Sequence, residues 1–150
     1  MTAHTSAEPL TRALTRALRV VTASVEEVLR PENLTVDQWL VLDALARERG
    51  LSMAELAIRT LATGPTLTRV VDRLVSTAMA YREVDAEDRR RVRVYLGPRG
   101  RAAHRRLAPK VAEAEADLLG RTDEGRIALR LLAVLGGAPC PPAPTATDGH

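Results

Sequence analysis

The chain has 150 residues, 45% hydrophobic and 27% charged, which suits one globular domain or two small packed ones and excludes a large multidomain enzyme and a wholly disordered chain. Aromatic residues make up only 2% and Phe is missing, so stacking platforms for single-stranded nucleic acid are poorly supplied. Net charge is +3, but the 22 basic residues include a single Lys, Lys110, and nine Arg fall between Arg82 and Arg106 against Glu83, Asp85, Glu87 and Asp88, so the basicity is local.

From Glu8 to Leu29 the apolar residues Leu10, Leu14, Ala17, Val21, Val25 and Val28 recur at steps of four and three, which predicts a long amphipathic helix that Pro31 stops. Thr35, with Gln38 three residues on, has capping-box spacing for a second helix that carries Trp39, Leu42 and Leu45 and ends near Gly50. Ser52 and Glu55 repeat the spacing, so Met53 to Thr60 reads as a short third helix with Leu56 and Ala57 inward. After a tight connection from Leu61 to Gly64, Pro65 suits the first turn of a fourth helix predicted to run to about Ala78. Two short helices joined by a tight turn form a helix-turn-helix outline.

Tyr81 to Val84 and Val92 to Leu96 predict a β-hairpin whose loop, Asp85 to Arg91, is too polar to bury. Pro98 to Leu119 is helical again, with Leu107, Val111, Ala114 and Leu118 on one side, and a last helix, Asp123 to Leu135, is capped by Asp123 or Thr122. From Gly136 onward the Pro/Gly-rich composition predicts a disordered tail.

On the fourth helix Leu67, Val70, Val71, Leu74 and Ala78 share one side, and Thr66, Arg69 and Arg73 share the other, with Thr68 at the margin. A major-groove reader needs such a stripe, because Arg forks onto guanine O6 and N7 and Thr meets thymine methyls or phosphates. A solvated helix face accepts Arg and Thr equally well, so the stripe alone does not decide. The hairpin tip adds Arg89, Arg90 and Arg91, which can reach adjacent phosphates or a narrow minor groove. Helix, turn, helix and hairpin occur in the order that a winged-helix contact requires.

The runs LTVDQWLVLDAL, MAELAIRT, PTLTRVVDRLV and DAEDRRRVRVYLGPRG resemble the MarR/SlyA family of winged-helix transcriptional regulators over roughly Leu34 to Leu119. The resemblance implies a mainly α fold with a small β-hairpin wing, and a homodimer joined by its N- and C-terminal helices. It also implies binding to a pseudo-palindromic double-stranded operator, often with release by a small-molecule effector. On matching positions, Pro65, Thr66, Thr68, Arg69 and Arg73 would face the major groove. Asp88 and Arg90 would form the D-x-R of the wing, with Arg90 entering the minor groove between Arg89 and Arg91. The expected organisation is a dimerisation helix over 1–33, a winged helix over 34–97, dimerisation helices over 98–135 and a tail over 136–150.

Two departures from the family pattern stand out. Ala78-Met79-Ala80 replaces Gly-Leu-Val after the recognition helix, which removes a glycine suited to positive φ at a cost of about 1 kcal/mol. Gly97 replaces a Thr that would cap the following helix, leaving a poorer N-cap.

Leu10, Leu14 and Val21 of the first helix and Leu131, Leu132 and Leu135 of the last present more apolar surface than a small winged helix can cover, which predicts dimerisation on physical grounds too. No metal or cofactor is expected: the wing acids pair more readily with the adjacent Arg than with a cation, and His104, His4 and His150 lack ligand spacing. Cys140, the only cysteine, lies in the Pro-rich tail, where neither a disulfide framework nor a thiol sensor is supplied. Trp39 reads as core. The first twenty residues lack the uninterrupted apolar core of a signal peptide and no run approaches the roughly 18 apolar residues of a membrane span, so a cytoplasmic protein without membrane contact is expected. No nucleophile, His and carboxylate set points to an enzyme. A protein-interaction module on the same fold is the alternative reading, and the location of any effector pocket is open.

Overall fold

The structure is a computed structural model that describes residues 9–120 and 123–137. In chain order it contains α1 (Leu10–Leu29), a 3-10 turn (Arg30–Glu32), α2 (Val36–Arg47), β1 (Leu51–Ser52), α3 (Met53–Thr60) and α4 (Gly64–Ser76). Then follow β2 (Ala80–Val84), β3 (Val92–Leu96), α5 (Pro98–Leu118) and α6 (Asp123–Leu135). The chain forms two compact units, one up to Ala114 and one from Glu115, so the division falls inside α5.

Both capping boxes form. The Thr35 hydroxyl accepts from the Gln38 N–H and the Gln38 Oε1 accepts from the Thr35 N–H. Ser52 and Glu55 make the same reciprocal pair at the start of α3. Each box satisfies two of the donors that a helix start leaves free.

In the first unit α2, α3 and α4 close around Leu42, Leu45, Leu56, Leu67, Val71 and Leu74. Val25 and Leu29 of α1, Val94 and Leu96 of β3, and Ala103, Leu107 and Val111 of α5 complete this core. Leu29, Leu42, Leu56 and Val71 have no exposed surface, and truncating a leucine so placed to alanine costs about 2–5 kcal/mol. Trp39 is buried with them, as expected, and its ring stacks on His104 of α5 at 5.1 Å.

The sheet has three antiparallel strands in the order β1-β3-β2. Leu51 pairs with Val94, and β2 pairs with β3 from Ala80 opposite Leu96 to Val84 opposite Val92. The hairpin follows the sequence expectation, but β1 is an addition, because two residues are too few to produce an alternation.

Several boundaries need correction. The second helix ends at Arg47, since Glu48 is already extended. The fourth ends at Ser76, and Ala78 is not on its apolar side: it is exposed and left-handed, at φ 57°. Asp123 is the first residue of α6, so it lies inside the helix, and Thr122 is outside the described residues. Glu8, His4, Cys140, His150 and the tail from residue 138 are also outside them.

Gly97 is likewise more than a weak cap. Its carbonyl accepts the Arg101 N–H that opens α5 and its own N–H donates to the Met79 carbonyl, both at 2.9 Å. A Cβ at residue 97 would lie 2.9 Å from the Ala78 carbonyl oxygen, and one at Gly100 would lie 2.1 Å from that of Met79. The start of α5 packs directly on the backbone that follows α4, and the capping side chain is given up for that approach.

Candidate nucleic-acid interface

The Thr/Arg stripe read from the sequence is present on α4. Pro65, Thr68, Arg69 and Arg73 are exposed, Thr66 is half-buried, and Leu67, Val71 and Leu74 face the core. Pro65 lies in the first turn, where its missing N–H costs nothing. The Thr66 hydroxyl is within 3.1 Å of the Thr63 hydroxyl, and the Thr68 hydroxyl donates to the Gly64 carbonyl at 3.0 Å. Among the described residues the guanidinium groups of Arg69 and Arg73 have no hydrogen bond or ion pair with protein, so both are free to meet an external acceptor.

The wing is shaped by its acids. Asp85 donates its N–H to the Arg91 carbonyl at 2.8 Å, and the Arg91 N–H donates to the Asp88 carbonyl at 2.9 Å. The Asp88 carboxylate accepts from the Arg90 N–H at 3.1 Å and pairs with Arg91 at 3.3 Å. Asp88 therefore holds the loop in shape and presents its neighbours. Of the three tip arginines only Arg91 is paired among the described residues, and Arg89 and Arg90 are exposed.

Two further arginines, not singled out from the sequence, position these surfaces. Arg82 on β2 reaches Asp72 on the outer side of α4 at 2.6 Å and so ties recognition helix to wing. Arg93 on β3 is only 29% exposed at its side chain. It donates to Asp85 at 3.0 Å, to the Gly50 carbonyl at 3.1 Å and to Glu55 at 3.4 Å. The Asp85 carboxyl is held below its ordinary range by the Glu87 backbone N–H and then by Arg93. Glu55 is lowered by the Ser52 backbone N–H and hydroxyl, with a smaller effect of Arg93. A position ten or forty residues away in sequence carries no periodic signal, so only the folded chain reveals these pairs.

A similar long-range link joins α2 to α5. His104 Nε2 lies 2.9 Å from Asp43 Oδ1, and Arg47 donates to the other oxygen of Asp43 at 2.9 Å. Burial raises the Asp43 pKa, but the hydrogen bonds from Arg47 and His104 outweigh it and the net shift is downward. His104 thus has the acidic neighbour that its sequence surroundings lacked. Among the described residues no group of three or more His, Cys, Asp or Glu could hold a metal ion, and no helix is long and apolar enough to cross a membrane.

Known proteins share this arrangement. The sequence profile of the MarR family matches residues 32–91, which hold α2 to α4, β2 and the whole wing loop. The chain is 31% identical over 130 residues to the HTH-type transcriptional repressor Rv2887 of Mycobacterium tuberculosis, covering 85% of this chain and 94% of that protein. This chain belongs to the MarR family. Among solved structures, BpsR of Bordetella bronchiseptica superposes with a TM-score of 0.81 at 27% identity, over 93% of this chain and all of that one. BpsR is described as a protein whose DNA binding is regulated by 6-hydroxynicotinic acid. The transcriptional repressor CouR, solved bound to a 23-mer DNA duplex, superposes at 0.79 with 28% identity over 91% of this chain and 98% of that one. The fold of this MarR-family chain is the winged helix-turn-helix, and the protein is a transcriptional regulator.

Proposed function

We propose that this MarR-family protein is a cytoplasmic homodimeric repressor that binds a pseudo-palindromic double-stranded operator and is released by a small molecule. The observation that carries the reading is the pair of unpaired arginine sets on one braced frame. Arg69 and Arg73 lie on α4, Arg89 and Arg90 at the wing tip, and Asp72–Arg82 ties the two elements together. Thr66 and Thr68 set register at the start of the recognition helix, Pro65 opens it, and Arg69 and Arg73 meet base edges or phosphates of the major groove. Arg90 enters the minor groove, flanked by Arg89 and Arg91 on phosphates, with Asp88 shaping the loop that carries them. Exposed Leu10, Leu14 and Val21 on α1, and Leu131, Leu132 and Leu135 on α6, form the surfaces that join two copies. A two-fold dimer then sets two recognition helices about 34 Å apart, one DNA turn. The CouR complex with duplex and the regulation of BpsR by a small aromatic acid support the same assignment here.

The test is fluorescence anisotropy with labelled duplex from the intergenic region beside the gene, random duplex as competitor, and two salt concentrations. Specific binding resists the competitor and weakens with salt. Arg90→Ala is expected to weaken binding and to make the salt dependence shallower by roughly one unit of slope. Unchanged affinity and slope would remove the wing from the mechanism. A dimer with no affinity for any duplex in a random-sequence selection would favour a protein-interaction role instead.

A further inference from the structure

The turn between α3 and α4 holds a leucine that neither the turn nor the core explains. Leu61 caps the C-terminal end of α3 in the left-handed region, at φ 56° and ψ 21°, and it is 90% exposed. Two other non-glycine residues have positive φ among the described residues, and each has a reason to be there. Asn33 tolerates the conformation through its short polar side chain, and Ala78 delivers Met79 and Ala80 to the core. Leu61 does neither. Its β-carbon carries the left-handed strain while its apolar side chain stays in water. Glycine or asparagine would make the same turn more easily, and strain kept without a packing reason points to a contact outside the protomer.

Its surroundings place it at the edge of the recognition surface. Ala62 packs against the core, Thr63 is the N-cap of α4, and the Thr63 carbonyl accepts the Leu67 N–H at 2.8 Å. The Leu61 Cα is therefore within about 7 Å of that cap, and Pro65 and Thr66 follow in the first turn of α4. Gly64 opens α4 with bare backbone, where a Cβ would meet nothing within 4 Å. Ile58, one turn earlier on α3, is 72% exposed. Arg59, the basic residue in the last turn of α3, is engaged by Glu48 at 2.7 Å. A duplex seated on the start of α4 meets an open backbone there, flanked by apolar side chains.

We propose that Leu61 is a specificity-determining residue that packs on a thymine 5-methyl group at the edge of the major groove, with Ile58 extending the apolar surface behind it. The proposal rests on the operator-binding reading and adds to it an uncharged contact outside the Thr/Arg stripe. The 5-methyl group is the apolar feature of the major-groove edge, and an apolar side chain reads it. Burying one methyl group is worth roughly fourfold in an equilibrium constant. No phosphate is neutralised by such a contact, so it leaves the salt dependence of binding unaltered.

The experiment uses the full chain and an operator duplex obtained by random-sequence selection, with anisotropy for affinity and calorimetry for Tm. Leu61→Gly and Leu61→Asn both suit the left-handed turn, and Leu61→Met keeps a long apolar side chain. The Gly and Asn variants are expected to melt at or above the wild-type Tm and to bind operator at least about fourfold more weakly. Their salt slope and their affinity for random duplex should match the wild type, and Leu61→Met should retain most of the operator affinity. Each thymine of one half-site is then replaced in turn by deoxyuridine, which removes only the methyl group. At the contacted position the wild type should lose roughly fourfold and the Gly and Asn variants nothing. Full operator affinity in both of those variants would overturn the proposal. So would weaker binding with the same deoxyuridine profile as the wild type, since Leu61 would then act only through the turn. A wild type that selects no duplex would remove the operator-binding reading as well, whereas normal operator binding with unresponsive variants would remove Leu61 alone.

Discussion

At the residue scale, Ala78 shows how a local conflict is tolerated. Its φ of 57° is a left-handed conformation that glycine adopts freely and that costs an L-residue roughly 1–2 kcal/mol. The chain holds it there because Ala78 N–H donates to the Val75 carbonyl and Met79 N–H to the Leu74 carbonyl, closing the end of α4 and delivering Met79 and Ala80 to the core. Ala78→Gly is expected to stabilise the protein by about 1 kcal/mol and raise Tm by roughly 2–4 °C, measured by calorimetry. A fall in Tm would mean that the gain in unfolded-state entropy outweighs the relief of strain. The missing glycine was visible in the sequence as a departure, but the placement of Ala78 outside the helix was not. Periodicity alone carries an apolar residue onto the last turn, and only the backbone hydrogen bonds end it at Ser76.

At the element scale, the wing is held by charge more than by burial. Val84 and Val92, at the outer ends of β2 and β3, are exposed, so the hairpin relies on its ladder and on Arg93 clasping Asp85, Glu55 and the Gly50 carbonyl. Both carboxyl groups are depressed below their ordinary values, 3.8 for Asp85 and 4.5 for Glu55. A depressed carboxyl contributes stability that is complete well above its unfolded value and is lost as pH falls through the folded one. The brace is therefore intact at neutral pH and fails only as pH falls below about 4.5 and then below 3.8. Urea midpoints at pH 7 and pH 3 should differ less in Arg93→Met than in the wild type, since the variant has already lost the clasp. An identical pH difference in the two proteins would show that Arg93 does not couple these acids to the fold. Alternation along β3 was readable from VRVYL, and the partner of Arg93 was not, because Glu55 and Gly50 come from a different part of the chain.

At the scale of the whole molecule, apolar surface remains that the described core does not cover. On α1, Leu10 is 60% exposed and Leu14 and Val21 are 37% and 38% exposed, while Val25 and Leu29 of the same helix are buried. On α6, Leu131, Leu132 and Leu135 are all about half exposed. Stripes of this length on soluble helices mark contact with a partner, and a second copy supplies an identical, self-complementary stripe. Leu14→Glu combined with Leu132→Glu should convert the protein to a monomer in sedimentation equilibrium and lower operator affinity by about a hundredfold or more, as two linked half-sites become independent. A dimer that survives both changes would place the joining surface elsewhere.

The helices, the capping boxes of α2 and α3 and the order helix, turn, helix, hairpin follow from the sequence itself, because capping boxes, apolar periodicity and turn residues act within a few positions. The exposed Thr/Arg stripe of α4 and the arginine tip of the wing were legible for the same reason. The tertiary structure decided what distance in sequence conceals. It adds β1 to the sheet edge, pairs Asp72 with Arg82 and Arg93 with Glu55, and sets His104 against Asp43 and Trp39. It also turns Gly97 from a missing cap into a point of close backbone approach. Contacts of this kind depend on how separate elements pack, and side-chain pairing across that packing leaves no period in the chain for a sequence reading to find.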